Sequence, residues 1–281
     1  MSTKKVLALF LSIILIVSLI GCAGAPATTT PPTTTAPTTA APTTAAPTEP
    51  KLNGEVLISA AASLTDCLSE MGKKYNENQP GVTVTFNFGS SGALQQQIEQ
   101  GAPADIFFSA AARQMNALKD GGLMLNDTIT DLIVNEIALV VPKGNSKITF
   151  SDLGADGIKS IAIGDPGSVP AGQYATEIFA HLGIDAAVES KLILGKDVRQ
   201  VLTYAEEGEV DAGIVFKTDA LVSEKIELCE TAPAGSHTKA VYPVGIVKDS
   251  KNVDLAKDFI AFLNSADGIA TFEKYGFSMN K

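Results

Sequence analysis

The sequence predicts an α/β protein of two lobes, each a mostly parallel sheet flanked by helices, with a cleft between the lobes. Short apolar runs alternate with helical patterns in two successive series, which is typical of parallel sheets covered by helices. Two further apolar strands, at residues 137–141 and 242–247, lie near the two ends of the second series. They indicate that the chain crosses twice between the lobes. About 230 residues follow residue 50, enough for one large α/β domain or two small ones.

The first series covers residues 56–120. Residues 82–88 alternate Val and Phe with Thr and Asn, as expected for a strand with one buried face. The predicted strands are 56–61, 82–88 and 105–109, and the predicted helices are 64–78, 93–100 and 113–120.

The second series follows the strand 137–141. Its predicted strands are 160–163, 191–194 and 212–216, and its predicted helices are 173–182 and 198–207. Residues 253–275 are mostly helical, and we expect them to complete the first lobe. Lobe 1 is therefore predicted at residues 51–134 plus 248–281, and lobe 2 at residues 135–247.

The charge of the chain excludes one class of partner. The formal net charge is −10, and the first fifty residues contribute only Lys4, Lys5 and Glu49, so the body carries −11. A body this acidic does not offer the broad basic patch that nucleic acid or anionic lipid requires. A small anion held by local dipoles is still compatible with it.

The N-terminus predicts export. Lys4 and Lys5 precede an apolar run at residues 6–20, which is short for a membrane-spanning helix and typical of a secretory signal. The run ends in Leu-Ile-Gly-Cys at residues 19–22, which resembles the lipobox of bacterial lipoproteins. We expect residues 1–21 to be removed and Cys22 to be lipidated at the extracytoplasmic face of the cell membrane; an ordinary signal peptide with a chance cysteine is the alternative.

Residues 22–50 predict a tether. Residues 26–50 contain 11 Thr, 7 Pro, 6 Ala and one Glu, so nothing in them can bury a core. An extended spacer would let an anchored body reach a partner on the same membrane.

Four strand-to-helix turns share one chemistry. They contain Ser63, the pair Ser90 and Ser91, the Gly- and Pro-rich segment 164–172, and Asp197 with Val198. Each turn offers free backbone N–H groups at a helix N-terminus, which is a ready anion site. Such turns lie at the carboxyl ends of the strands, where α/β proteins bind ligands. Ordinary helix capping explains any one turn, so the prediction depends on all four.

Seven segments of the body resemble the periplasmic molybdate-binding proteins of ABC uptake systems. They are Ala-Ala-Ala-Ser-Leu at 60–64, Gly-Ala-Pro-Ala-Asp at 101–105, Gly-Asp-Pro at 164–166 with Val-Pro-Ala-Gly-Gln-Tyr-Ala at 169–175, Asp-Val-Arg at 197–199, Gly-Ile-Val-Phe-Lys-Thr-Asp-Ala at 213–220, Tyr-Pro-Val at 242–244 and Lys-Tyr-Gly-Phe at 274–277. The resemblance implies a type II periplasmic-binding-protein fold that holds the tetrahedral dianion between its lobes. It further implies a monomer that serves a membrane permease, with no cofactor and no direct metal ligand.

The resemblance also implies the ligands, which are neutral donors. Carried over by position, they are the hydroxyls of Ser63 and Ser91 and the amides of Ala171 and Val198. The fifth family position is a tyrosine, and here it is Phe216. Loss of one donor to a charged guest would weaken binding about tenfold or more, unless another group replaces it. Tyr174, Ser90 or a water are the candidate substitutes, and Phe216 as plain wall is the alternative.

Other functions are less well supported by the sequence. An enzyme would use Ser63 or Ser91 as a nucleophile, but no Gly-x-Ser-x-Gly motif is present. The same fold binding tungstate, sulfate or another oxyanion is a closer alternative, and a surface adhesin is a third, supported by the tether alone.

Several polar residues receive no ligand role. Asp105 is predicted to be structural, and Arg199 and Lys217 are predicted to be solvated charges, with steering of the anion as the alternative. His181 and His237 show no zinc-site spacing. Cys67 and Cys229 would pair only if the fold brought them together.

Overall fold

The computed structural model describes residues 52–281. The predicted signal, Cys22 and the predicted tether lie outside this range. The strands are β1 (Gly54–Ala61), β2 (Val82–Gly89), β3 (Ile106–Phe108), β4 (Thr130–Asn135), β5 (Ile137–Pro142), β6 (Ile161–Gly164), β7 (Leu192–Gly195), β8 (Ala212–Phe216), β9 (Ile226–Thr231), β10 (Ala240–Ile246) and β11 (Ser278–Met279). The helices are α1 (Thr65–Asn78), α2 (Ser91–Glu99), α3 (Ala112–Asp120), α4 (Pro170–Leu182), α5 (Asp185–Val188), α6 (Val198–Glu206), α7 (Lys217–Leu221), α8 (Val253–Leu263) and α9 (Ala266–Lys274).

The strands form two sheets. The first has the order β11-β4-β10-β3-β1-β2, and the second has the order β7-β6-β8-β5-β9. Helices α1–α3, α8 and α9 pack on the first sheet, α4, α6 and α7 pack on the second, and α5 packs on α4. We call each sheet with its helices lobe 1 and lobe 2. The predicted α/β fold of two sheets flanked by helices is confirmed.

Each sheet is mixed rather than mostly parallel. In lobe 1, β1 pairs in parallel with β2 and β3, while β10 runs antiparallel to β3 and β4. In lobe 2, β6 pairs in parallel with β7 and β8, while β5 runs antiparallel to β8 and β9. The antiparallel strands are those that flank the two crossings, where the chain passes from one sheet to the other without an intervening crossover helix.

The predicted limit of lobe 2 at residue 247 is wrong. Strand β10 pairs with β3 and β4 and therefore belongs to the first sheet, so the chain returns to lobe 1 before Ala240. The pairing shifts register between Tyr242 and Pro243. A bulge suits this position because proline cannot donate to the ladder.

Three strands and one helix break were not predicted. Strands β4, β9 and β11 are short or carry polar residues, so their pattern is weak. The helical stretch 253–275 is two helices, because Ser265 caps α9 by accepting the N–H of Gly268 at 3.2 Å.

Close packing places the first turn of α4 against the second sheet. A Cβ on Gly172 would lie 1.8 Å from the carbonyl oxygen of Gly164, so only glycine permits this approach. The α4 N-terminus therefore sits directly over the end of β6.

Within residues 52–281, no helix combines the length and the apolar character that crossing a membrane requires.

Candidate ligand-binding site

Turns from both lobes surround one small hollow. It is lined by Ala61, Ala62, Ser63, Gly89, Ser90, Ser91, Ala110, Val169, Pro170, Val198 and Phe216. All of these described residues are uncharged, and they lie at or shortly after the carboxyl ends of β1, β2, β3, β6, β7 and β8. About 10 Å³ is open to the centre of a water molecule, the space of roughly one water. The hollow as it stands has room for about one water molecule, so a larger guest requires its two sides to move apart.

Ser63 lies in the short turn between β1 and α1 and is buried. Its hydroxyl does not cap α1, because the N-cap residue is Leu64 and no side chain caps that helix. Ser63 Oγ lies 2.9 Å from Tyr242 Oη instead. Helix capping, the ordinary explanation for a serine at this point, therefore does not apply to Ser63.

The two adjacent serines after β2 have different roles. Ser90 is the N-cap of α2, and its Oγ accepts the N–H of Ala93 at 3.3 Å. Ser91 is fully buried, and its Oγ accepts the N–H of Ala110 at 2.9 Å. That bond leaves the single O–H proton of Ser91 free to be donated into the hollow.

Two helix N-termini bring backbone amides from lobe 2. Helix α6 begins at Val198, and Asp197 caps it by accepting the N–H of Gln200 at 2.9 Å. Helix α4 begins at Pro170, which has no N–H, so Ala171 carries its first amide. Amides of a first turn have no acceptor in their own helix and carry partial positive charge. Val198 lines the hollow, whereas Ala171 follows the lining residue Pro170 without lining it.

An aromatic wall closes one side of the hollow. Phe216 packs edge-on against Tyr242, with ring centroids 5.3 Å apart, and against Tyr174 at 6.3 Å. Tyr174 Oη faces the carbonyl oxygen of Ala110 at 3.5 Å, and its ring lines a separate cleft of about 480 Å³. Tyr174 is not itself among the residues that line the hollow, whereas Ala110, which its hydroxyl faces, is one of them.

Sequence reasoning missed the polar groups behind Ser63. Tyr242 is fully buried, and its Oη accepts a hydrogen bond from Asn135 Nδ2 at 3.1 Å. Asn135 Nδ2 also donates to Thr218 Oγ1 at 2.9 Å. Burial raises the pKa of Tyr242 well above its usual value, so the phenol stays protonated. The available signal was a tyrosine hydroxyl inside the otherwise apolar strand β10.

Arg199 joins the lobes as an ion pair. Its Nη2 lies 2.7 Å from Asp66 Oδ2 on α1, and its Nε lies 2.7 Å from Asp219 Oδ1 on α7. Burial raises the pKa of Asp219 to about 6, although Arg199 opposes that shift. Lys217 pairs with Glu136. Both cations have carboxylate partners, which does not favour a role in steering an anion.

A second contact joins the lobes beside the hollow. The N–H of Gly92, on α2, donates to the carbonyl oxygen of Ser168 at 2.9 Å. A Cβ on Gly92 would lie 2.6 Å from that oxygen, which no side chain tolerates. Because Ser91 and Val169 line the hollow, this contact sets the distance between its two sides.

The remaining polar candidates have structural surroundings. Asp105 accepts the Leu57 N–H at 2.8 Å and the Ser250 hydroxyl at 2.5 Å, which ties β1 to the segment before α8. Cys67 on α1 and Cys229 on β9 lie in different lobes, and both are free thiols. His181 lies in the last turn of α4, and the His237 ring packs on Tyr174. Residues 52–281 contain no cluster of three His, Cys, Asp or Glu side chains that could hold a metal ion.

Comparisons with known proteins show the family of the chain. The sequence profile of the family described as bacterial extracellular solute-binding protein matches residues 56–278. The Bacillus subtilis protein YvgL, which carries the provisional name of an ABC transporter substrate-binding lipoprotein, is 50% identical over 79% of this chain and 85% of its own. A molybdate-binding protein of Haemophilus influenzae is 38% identical over 80% of this chain and 91% of its own.

A solved structure extends the comparison to the fold. The periplasmic molybdate-binding protein of Azotobacter vinelandii superposes with a TM-score of 0.74 at 22% identity, over 80% of this chain and all of its own. These relatives are transport proteins that bind a solute. The chain therefore belongs to the bacterial extracellular solute-binding protein family, and within it resembles the molybdate-binding proteins of ABC transporters.

Proposed function

We propose that this protein is the extracytoplasmic substrate-binding lipoprotein of a molybdate ABC transporter. It captures the tetrahedral dianion between its lobes and delivers it to a membrane permease. The observation that carries the proposal is that neutral donors of both lobes converge on one uncharged hollow. Ser63 and Ser91 offer hydroxyls from lobe 1, and the first turns of α4 and α6 offer amides, those of Ala171 and Val198, from lobe 2.

Neutral donors are sufficient to hold such a guest. A desolvated anion is stable when each of its oxygens accepts hydrogen bonds from fixed dipoles, and bonds to a charged acceptor are stronger than neutral ones. Helix N-termini add partial positive charge at short range. The attraction is therefore local, which explains how a body of net charge −11 can bind an anion.

Selection among oxyanions follows from size. Molybdate and tungstate are larger than sulfate and nearly equal to each other, so donors spaced for one accept both. A smaller sulfate leaves some donors of the opposite lobe out of reach. Preference for tungstate, or for another oxyanion such as sulfate, is the alternative on the same fold.

The membrane part of the proposal rests on the N-terminal sequence and on the relative named as a lipoprotein. The lipid on Cys22 holds the protein at the outer face of the membrane, and the tether carries the loaded body to the permease. The body acts as a monomer without a cofactor.

Calorimetric titration tests the ligand. Residues 23–281, which lack the predicted signal and lipidation site, are titrated with molybdate, tungstate and sulfate in separate experiments. We expect micromolar or tighter binding of the first two and no measurable binding of sulfate. Tighter binding of sulfate would contradict the assignment of molybdate, and no binding of any of the three would contradict a role in oxyanion capture.

A further inference from the structure

The hydrogen bonds of Ser91 show what a serine in this site needs. A serine hydroxyl has one proton to donate, and it is available to a guest only if no protein acceptor takes it. A backbone N–H can only donate, so the bond from Ala110 makes Ser91 Oγ the acceptor at 2.9 Å. The Ser91 proton is thereby left for the hollow.

For Ser63, the direction of the bond to Tyr242 depends on Asn135. The N–H of Glu136 donates to Asn135 Oδ1 at 2.9 Å, which fixes the orientation of the side-chain amide. Asn135 Nδ2 must then point its two protons at Thr218 Oγ1 and at Tyr242 Oη, 2.9 and 3.1 Å away. Tyr242 Oη is therefore an acceptor toward Asn135.

The phenol proton of Tyr242 has one suitable acceptor among its contacts in the described chain. Asn135 presents a donor, so the proton must go to Ser63 Oγ at 2.9 Å. If Ser63 donated to Tyr242 instead, the buried phenol proton would face no acceptor, which costs about 1–3 kcal/mol. Burial keeps the phenol protonated, so this donor persists over the working pH range.

We propose that Tyr242 is a positioning residue of the anion site: by donating to Ser63 Oγ, it directs the Ser63 hydroxyl proton into the hollow. Asn135 sets the direction, as the Ala110 amide does for Ser91. Tyr242 does not line the hollow and acts through Ser63. This inference rests on the proposed function.

The test removes the phenol oxygen alone. Tyr242→Phe keeps the ring that packs on Phe216 and Phe277 at centroid distances of 5.3 and 5.5 Å. The matched control is Tyr75→Phe, because Tyr75 is equally buried and its hydroxyl bonds Asp258 at 2.7 Å, outside the anion site. Four variants of residues 23–281 are titrated with molybdate. They are Tyr242→Phe, Tyr75→Phe, Ser63→Ala and the double variant Tyr242→Phe/Ser63→Ala.

We expect Tyr242→Phe to weaken molybdate binding about tenfold, or about 1.4 kcal/mol, and Tyr75→Phe to leave it unchanged. The double variant should bind as Ser63→Ala does, because without the serine hydroxyl the phenol has nothing to direct. A purely structural role for Tyr242 would instead weaken binding again in the Ser63→Ala background.

Three outcomes overturn the inference. One is wild-type affinity in Tyr242→Phe, and another is multiplication of the two effects in the double variant. If Tyr242→Phe does not fold by circular dichroism, Asn135→Ala replaces it, and unchanged affinity there overturns the inference as well. If the wild-type protein binds none of the oxyanions, the proposed function itself is contradicted. That result is distinct from oxyanion binding that is unaffected by substitution of Tyr242.

Discussion

A methyl group at Gly92 should separate ligand affinity from stability. In Gly92→Ala the added Cβ would lie 2.6 Å from the carbonyl oxygen and 2.7 Å from the Cα of Ser168, where ordinary contact begins at 3.4 Å. The two lobes must move apart beside the hollow to accept it. The same move breaks the hydrogen bond from the Gly92 N–H to Ser168 at 2.9 Å.

The size of the effect follows from the donors that flank this contact. Ser91 precedes Gly92, and Val169 and Pro170 follow Ser168, so the shift draws the lobe 1 hydroxyl away from the lobe 2 amides. A hydrogen bond to a charged group contributes about 1.5–3 kcal/mol. Losing the equivalent of one such bond weakens molybdate binding about tenfold or more.

Stability should change much less than affinity. Gly92 lies in the first turn of α2, and alanine favours a helix over glycine by up to about 1 kcal/mol. With the lobes apart, the lost hydrogen bond to Ser168, about 0.5–1.5 kcal/mol, offsets most of that gain. We therefore expect the ligand-free Gly92→Ala protein to melt at the wild-type temperature or slightly above, while calorimetry shows the loss of affinity.

The control is Gly157→Ala. Gly157 has no heavy atom within 4 Å of a built Cβ, so its methyl group meets open space, and both affinity and melting temperature should match the wild type. Wild-type affinity in Gly92→Ala would refute the reasoning, because it would mean that the approach of the lobes at Ser168 does not set the donor positions.

Three further predictions concern other parts of the chain. Phe216→Tyr should strengthen molybdate binding about tenfold by calorimetry if the hollow lacks one hydrogen-bond donor. Unchanged affinity would mean that Phe216 only lines the hollow. Burial raises the pKa of Asp219 to about 6 from 3.8 in the unfolded chain, so the folded state binds the proton more tightly. The free energy of unfolding therefore falls as the pH rises from about 4 to above 6. Denaturant unfolding should show this fall, about 1–3 kcal/mol, reduced in Asp219→Asn; a wild-type pH profile in that variant would contradict it. Cys22→Ser should abolish incorporation of labelled fatty acid and release the protein from the membrane fraction, and retention with label would contradict lipidation at Cys22.

The sequence predicted those parts of the site that lie within a few residues of a strand end. Ser63 lies between β1 and α1, and Ser91 and Val198 begin α2 and α6 shortly after β2 and β7. The direction of a parallel strand places the turn that follows it, so the local pattern indicated these turns. The resemblance to the molybdate-binding proteins then indicated these residues within them. The same pattern predicted the α/β class and most helices.

Local sequence pattern could not predict the contacts between segments that are distant in the chain. Tyr242 meets Ser63 across 179 residues of sequence, and nothing in the strand pattern shows which sheet receives β10. The mixed sheets, the return of β10 to lobe 1 and the turning of Tyr174 toward Ala110 all depend on which strands pair. Pairing is decided by packing over the whole body, where many weak local preferences compete.

By itself, then, the sequence determined the kinds of donors in this protein and the order of most strands and helices along the chain, because these are properties of neighbouring residues. It also predicts the exported and tethered arrangement. Only the tertiary structure decided how the donors are held. The approach of Gly92 to Ser168 and the bridge of Arg199 between two carboxylates exist because the two lobes close on each other. The phenol of Tyr242 lies behind Ser63 because β10 pairs within the sheet of lobe 1.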